Sequence, residues 1–263
     1  MDDDEILDVK FSPKFVTDFK KRNKLSSRRA RYRRRPKVKD MEIDKWINEV
    51  KELIESKPAN RIINADETSW KILPSSITTW ADSGSDAIDI KVSDSEKKMI
   101  TVMASITFAG TKLPLFMTEL VERTQLGDIS YHMSAHSESG WMEQDNFESY
   151  LIWLRQQYSD DDTLYLIIDQ FPVHKTTMSM QLANALNIKM FFIPAGSTDK
   201  YQPLDYRVFG CLKNVAKDSI HRFIHENPGK KIGMKYAVQV LIWAWEHLNS
   251  DVLNEAWSIY QSI

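Results

Sequence analysis

The chain has a single cysteine, Cys211, among its 263 residues. One thiol can neither close an intramolecular disulfide nor furnish a multi-thiolate zinc site, which fits a reducing compartment such as cytosol or nucleus. Long apolar runs are missing too. The most apolar late stretch, Val238 to Trp245, is too short to span a bilayer, and Met1 to Asp8 is acidic where a secretory signal would be basic and then apolar. The expectation is a soluble intracellular protein. At 42% hydrophobic content the chain can bury a substantial core, enough for one large domain or one domain with appendages. No internal repeat is visible.

Acidic residues are absent from one segment. Between Lys20 and Lys39 there are 12 Lys or Arg and no Asp or Glu, and since the whole chain carries −2, the remainder carries −14. A basic arm is joined to an acidic body. Such a run reads as a solvated tail or a nuclear-import signal, and its density of arginine also suits neutralisation of phosphates by counterion release. These two readings are compatible. The candidate nucleic-acid contacts are Lys20, Lys21, Arg22, Arg28, Arg29, Arg31, Arg33, Arg34 and Arg35. The acidic body would repel DNA outside any basic track.

Periodicity supplies the elements. Phe11 to Leu25 reads as a short helix with Phe15 and Phe19 on one face, followed by an Arg-rich linker to Pro36. Ile43, Ile47, Val50 and Ile54 mark an amphipathic helix that ends before Pro58. Strands are expected over Arg61 to Ala65, Met99 to Phe108 and Leu113 to Glu119, with Ala109 and Gly110 as a tight turn in an antiparallel meander. Thr68 to Lys98, rich in Ser and Asp, reads as an inserted loop with at most one short strand. A helix over Asp145 to Tyr158, a buried strand over Leu164 to Ile168, a helix over Thr176 to Leu186, a strand over Ile188 to Ile193 and a long helix from Pro203 to about Phe223 follow. Met234 to Ile263 is helical by pattern, with Val238, Leu241 and Trp245 on one face; it either packs on the core or belongs to a dimer surface. Trp70, Trp80, Trp141, Trp153, Trp243, Trp245 and Trp257 are most simply core or interface residues.

Three carboxylates stand out within this frame. Asp66 closes the strand Ile62 to Ala65, and Asp169 closes Leu164 to Ile168. Ligands of an α/β sheet bind at the carboxyl edge of its strands, so both are placed to meet there. Asp205 lies in the first turn of the long helix just after Pro203, where the helix N-terminus favours its anion. Clustered carboxylates repel one another unless a cation neutralises them, and oxygen ligands select magnesium or manganese. Two such ions can activate water and stabilise the leaving oxygen of a phosphodiester. Acids at strand ends and helix starts are also ordinary caps and turns, which is the structural alternative for each one alone. Asp199, six residues before Asp205, reads as a turn or capping residue.

The segments Asn64-Ala65-Asp66-Glu67-Thr68, Ile167-Ile168-Asp169-Gln170-Phe171-Pro172-Val173-His174, and Pro194 to Asp205 followed by Val208-Phe209-Gly210-Cys211-Leu212-Lys213 resemble the three signature blocks of the pogo and Tigger transposases. These form a branch of the mariner superfamily that includes relatives of centromere protein B. The resemblance runs from about Arg61 to Asn227. It implies a ribonuclease H-like mixed α/β sheet with flanking helices, a catalytic triad of Asp66, Asp169 and Asp205 holding two magnesium or manganese ions, and double-stranded DNA, both transposon ends and target, as partner. The 35 residues between Asp169 and Asp205 suit that superfamily. His174 recurs in the second block, where it either touches substrate or is a satisfied structural histidine. Lys213 either contacts phosphate or is simply solvated. Phe15, Phe19, Arg22, Leu25 and Arg28-Arg29 resemble the last helix and basic stretch of the family's helix-turn-helix region.

These readings divide the chain into a helix-turn-helix remnant with its arm (1–40), a catalytic domain (41–228) and a C-terminal helical segment (229–263). The expected function is a nuclear DNA endonuclease and strand transferase. Its rival is a catalytically inert DNA-binding or chromatin protein of transposon descent, for which three retained acids serve no purpose.

Overall fold

The structure is a computed structural model, and it describes residues 12–25, 40–71, 99–120, 134–137, 142–227, 230 and 232–261. The chain divides into two compact units, Met1–Arg35 and Pro36–Ile263. The described part of the first unit is helix α1 (Pro13–Arg22). Ser12 caps it by accepting the Phe15 N–H at 3.2 Å, Pro13 fixes its first turn, and Lys20, Lys21 and Arg22 crowd its last turn, where cations favour the helix dipole. The rings of Phe15 and Phe19 stack 6.3 Å apart, as their spacing requires. Arg28, Arg29, Arg31 and Arg33 to Arg35 lie outside the described residues.

The second unit is built on a six-stranded sheet of order β4-β3-β2-β1-β5-β6 among the described residues. Its elements are α2 (Asp40–Ser56), β1 (Ile62–Lys71), β2 (Met99–Thr107), β3 (Phe116–Leu120), β4 (Ser134–Ser137), α3 (Gln144–Gln156), β5 (Leu164–Ile168), α4 (Thr177–Ala185), β6 (Ile188–Phe192), α5 (Thr198–Tyr201), α6 (Phe209–Glu226), α7 (Met234–Glu246) and α8 (Ser250–Gln261). β1 pairs antiparallel with β2 and parallel with β5, β2 pairs antiparallel with β3, and both edge strands are parallel to their neighbours. The meander and the parallel β5–β6 pair follow the expected order. β4 does not, since no apolar run announces it.

β1 is twice as long as its apolar start suggested. Its ladder with β2 runs from Ile63 opposite Thr107 to Lys71 opposite Met99, so Thr68 to Lys71 belong to a strand and not to the inserted loop. Alternation explains this, because Asp66, Thr68 and Trp70 continue the buried face begun by Ile62 and Asn64. Residues 72–98, with Trp80 and the Asp-rich stretch, lie outside the described residues, as does Trp141.

Each face of the sheet covers its own core. On one side Ile62, Trp70, Val102, Ala104, Ile106 and Ile167 pack with α2, α6, α7 and α8; on the other Ile63, Ala65, Met103, Leu166 and Ile168 pack with α3 and α4. In α2 the inward residues are Trp46, Val50 and Leu53, with Ile47 and Ile54 on the flanks, so the buried stripe is rotated from the expected one. Along α6 the buried series is Leu212, Ala216 and Ile220, while Val215 is exposed. The C-terminal helices bury Val238, Leu241, Trp245, Trp257 and Tyr260 in the same core, and among the tryptophans singled out Trp243 is instead exposed. No described helix is long and apolar enough to cross a membrane.

The β2–β3 hairpin and the C-terminal helices lock together. Lys112 donates to the Glu246 and Leu248 carbonyls at 2.8 and 3.0 Å, capping the end of α7, and the Trp245 indole donates to the Leu113 carbonyl at 2.8 Å. Gly110 turns the hairpin with φ +74°, and a Cβ there would lie 2.3 Å from Asn254 Oδ1 on α8. Gly110→Ala is therefore expected to lower stability by about 1–2 kcal/mol, seen as a fall in Tm of roughly 2–4 °C per kcal/mol. Gly210, inside α6 with open space where a methyl would sit, should respond in the opposite sense, Gly210→Ala stabilising by about 0.5–1 kcal/mol. Thermal unfolding of the two variants checks both signs.

Candidate active site

The parallel ladder between β1 and β5 ends at the pair Asn64 and Ile167. Two residues further along each strand stand Asp66 and Asp169, so the register itself sets them side by side. Asp66 is not at a strand end, as its sequence context suggested; it sits mid-strand, opposite Ala104 of β2. It lies at the end of the parallel pairing, where the sheet opens at its carboxyl edge.

Asp205 arrives from a different element. The expected long helix starts with a π-helical turn, Leu204–Val208, before α6 proper, and Asp205 lies in that turn with its side chain exposed. Such turns alter the direction in which side chains project and are frequent at functional sites. Leu204 and Val208 are fully buried on either side of it and anchor the turn. Asp199 falls in the first turn of α5, also exposed.

Electrostatics tie the acids together. Burial, and then the charges of Asp205, Glu67 and Asp169, push the Asp66 carboxyl well above the ordinary carboxylate range, against the pull of the Glu67 backbone N–H. Lys213, half-buried one face along α6, has its ammonium drawn down by burial while Asp205 and Asp66 pull it back up. Lys213 is thus not a plainly solvated lysine. Its Nζ also lies 5.9 Å from the Phe209 ring.

Alternation along β1 sends Asp66 and Glu67 to opposite faces of the sheet. On the α3 face Glu67 meets His174, which is fully buried and packs its ring 4.3 Å from that of Phe147. His174 Nε2 lies 2.9 Å from Glu67 Oε1 and Nδ1 lies 3.0 Å from Asp169 Oδ1. Burial works against its charge, but the hydrogen bonds it donates to Asp169 and Glu67, and their charges, prevail and hold its pKa at about 10. At neutral pH it is an imidazolium donating to both carboxylates. Glu67, Asp169 and His174 place ligand-type atoms within 4.8 Å of one another. The two ring nitrogens face opposite ways, each already engaged, so His174 bridges the acids and holds Asp169 in place. Asp169 Oδ1 accepts the Phe171 N–H as well, at 3.0 Å.

Sequence reading overlooked Glu67, Asn64 and Gln202. Asn64 and Gln202 are both buried and bond to each other. A signal exists for Asn64 alone, a polar residue set inside the apolar run Ile62 to Ala65, because a buried amide needs partners; it does not name Gln202 as the partner. The segment carrying Asp205 is braced by α8: the Tyr260 hydroxyl donates to the Tyr201 carbonyl at 2.6 Å, and Arg207 Nε pairs with Glu255 at 2.6 Å.

A family model described as "DDE superfamily endonuclease" matches residues 101–257. The chain belongs to that family. The match includes Asp169, His174, Asp205 and Lys213, while Asp66 is joined to them by the β1–β5 register. Within the family its sequence is similar to "Pogo transposable element with KRAB domain" of Mus musculus, 29% identical over 200 residues that make up 72% of this chain and 33% of the relative. The protein of the same name from Homo sapiens is 28% identical over 158 residues, 59% of this chain and 26% of the relative. The matched part thus makes up between a quarter and a third of the length of these relatives. In fold it resembles the Mos1 strand transfer complex (TM-score 0.56, 11% identity, 95% of this chain and 67% of that one) and the Mos1 transposase paired-end complex with left transposon end (TM-score 0.54, 11% identity, 92% and 66%). The ribonuclease H-like architecture and the membership of the DDE family agree with the three sequence blocks.

Two stability measurements probe the charge balance, both in chelator. His174→Ala removes the cation between Glu67 and Asp169 and is expected to cost about 2–3 kcal/mol, less than a fully buried pair because both acids keep some contact with solvent. Asp66→Asn relieves repulsion and should raise Tm; a fall would show that the Asp66 carboxylate is stabilised by something other than an added cation.

Proposed function

We propose that this chain carries the catalytic core of a cut-and-paste DNA transposase, nicking element ends by hydrolysis and then joining the freed 3′-hydroxyl to target DNA. What supports the reading is the β1–β5 register, which sets Asp66 beside Asp169, together with the charges of Asp205, Glu67 and Asp169, which add to burial in pushing the Asp66 carboxyl up. A carboxylate so placed calls for a cation, and an all-oxygen donor set suits magnesium or manganese. The fold neighbour described as the mariner Mos1 paired end complex with Mg lends magnesium further support. Asp66, Asp169 and Asp205 would hold two ions, whose chemistry is to activate water and stabilise the leaving oxygen in an in-line attack on a phosphodiester.

The chain's own residues then have distinct tasks. His174, fixed by Glu67, orients Asp169. Lys213 brings a cation to the same edge, suited to a phosphate oxygen of the substrate. Both reactions are phosphoryl transfers, so one acid set serves both. Lys20, Lys21, Arg22 and the arm that follows contact DNA phosphates and direct the protein to the nucleus.

The test is nicking of supercoiled plasmid with manganese, with and without chelator. Asp66→Asn, Asp169→Asn and Asp205→Asn should each reduce it by more than about a hundredfold, beyond the 10–100-fold effect of outer partners, whereas Asp199→Asn stays within several-fold. Undiminished nicking by Asp169→Asn would remove the enzyme assignment and leave the inert DNA-binding reading. An inactive Asp199→Asn beside an active Asp205→Asn would exchange the third ligand.

Deleting residues 20–39 tests the arm separately. Binding to all DNA sequences should weaken, the salt dependence should flatten by about 0.9 in log–log slope for each phosphate no longer neutralised, and nuclear accumulation should fall. Loss of sequence preference with an unchanged slope would instead make the arm a reader of bases.

A further inference from the structure

Beyond its last rung at Asn64 and Ile167, the β1–β5 ladder offers no backbone pairing to hold Asp66 against Asp169, and the Ile168 carbonyl is taken by Ile193 N–H at 2.8 Å. The Asn64 side chain occupies this place. Asn64 is fully buried, and its carboxamide reaches an element next to each acid. Its Nδ2 donates to the Ile167 carbonyl at 3.0 Å, two residues before Asp169, and to Gln202 Oε1. Its Oδ1 accepts the Leu204 N–H at 3.3 Å, the residue before Asp205. Gln202, buried as well, turns its Nε2 to the Ala65 carbonyl at 3.4 Å, the residue before Asp66.

We propose that Asn64 and Gln202 are a pair of positioning residues that set the mutual placement of Asp66, Asp169 and Asp205, and thereby the affinity of the site for divalent cations. This inference rests on the three-acid reading above. Leu204 opens the π-helical turn, and the first N–H groups of a helix have no partner within it. By accepting one of them, Asn64 fixes the height and rotation of the turn relative to β1. Gln202 adds a second tie, its own carbonyl accepting the Tyr206 N–H at 2.9 Å while its side chain grips β1. Amides suit this task where carboxylates would not, since they donate and accept at once and add no charge beside a site already crowded with anions.

The test is manganese binding to the full chain by calorimetry, with circular dichroism as a check on folding. Gln202→Met, and the double change Asn64→Leu with Gln202→Met, replace the amides by apolar groups of similar shape. In the double change the bond between the two side chains is removed with both its partners, while the Leu204 N–H and the Ile167 and Ala65 carbonyls each lose one partner, which is why folding is checked first. The folded variants should bind manganese about 10–100-fold more weakly than wild type. The single Gln202→Met change decides the matter if the double variant does not fold. Ser105→Ala serves as control, because it breaks a buried hydrogen bond, to Tyr150 at 2.8 Å, on the α3 face, and it should leave affinity unchanged.

Wild-type affinity in folded Gln202→Met would overturn the inference, and the three-acid reading would stand if Asp205→Asn abolishes binding. Equal weakening by Ser105→Ala would also overturn it, by making the effect one of general stability. A wild-type chain that binds no manganese would overturn both.

Discussion

The placement of Asp66 is the constraint on which the site depends. It is a buried carboxylate, raised by desolvation and by three neighbouring negative charges, on the longest strand of the sheet. Burying a carboxylate such as Asp66 among other negative charges is costly. The surrounding structure answers this cost in two ways. On the α3 face an imidazolium lies between Glu67 and Asp169, and on the α6 face Lys213 approaches Asp205 and Asp66. Neither device sits between all the acids at once, and the proposed cations would complete the balance.

The sheet separates these two compensations by simple alternation. Even-numbered positions of β1, from Ile62 to Trp70, face α6 and α8, and odd-numbered positions from Ile63 to Glu67 face α3. Asp66 therefore meets the groups of the long helix, and Glu67, its immediate neighbour, meets His174. A one-residue slip of β1 would exchange the two, placing Asp66 against His174 and Glu67 near Asp205. The nine-residue ladder with β2, from Ile63 to Lys71, holds the register against such a slip.

Much of this was legible in the sequence, and the exceptions have physical causes. Apolar periodicity located β1, β2, β5, β6 and the longer helices because burial selects those residues, but it passed over the four-residue α5, expected as a turn and too short to show a period. It stopped β1 at Ala65 because the rest of the strand, Asp66 to Lys71, alternates buried polar with half-exposed residues and carries no apolar run. It missed β4 because Ser134 to Ser137 contains no apolar run. The phase of α2 was misjudged because a large aromatic, Trp46, defines the buried stripe, seated between Tyr201 and Tyr260. Three sequence blocks marked Asp66, Asp169 and Asp205, yet the residues that hold them, Asn64, Glu67 and Gln202, act through contacts across more than a hundred positions of chain. No local pattern reports such contacts.

The interval between the second and third acids also follows from geometry. After Asp169 the chain must return to the far end of the sheet before it can run parallel to β5 again, and a parallel connection needs a crossover element, here the Pro172–Lys175 turn and α4. Strand β6 then carries it back to the carboxyl edge, but one strand beyond Asp169 and away from β1. A strand-end residue there would stand too far from Asp66, with β5 between them. The chain instead crosses back through α5 and Pro203, over the α6 face, where Asn64 and the α8 residues Tyr260 and Glu255 engage it. The 35 residues between Asp169 and Asp205 are thus one crossover unit and a short return. The third acid has to come from a helix start because the sheet positions next to Asp66 are already filled by β2 and β5.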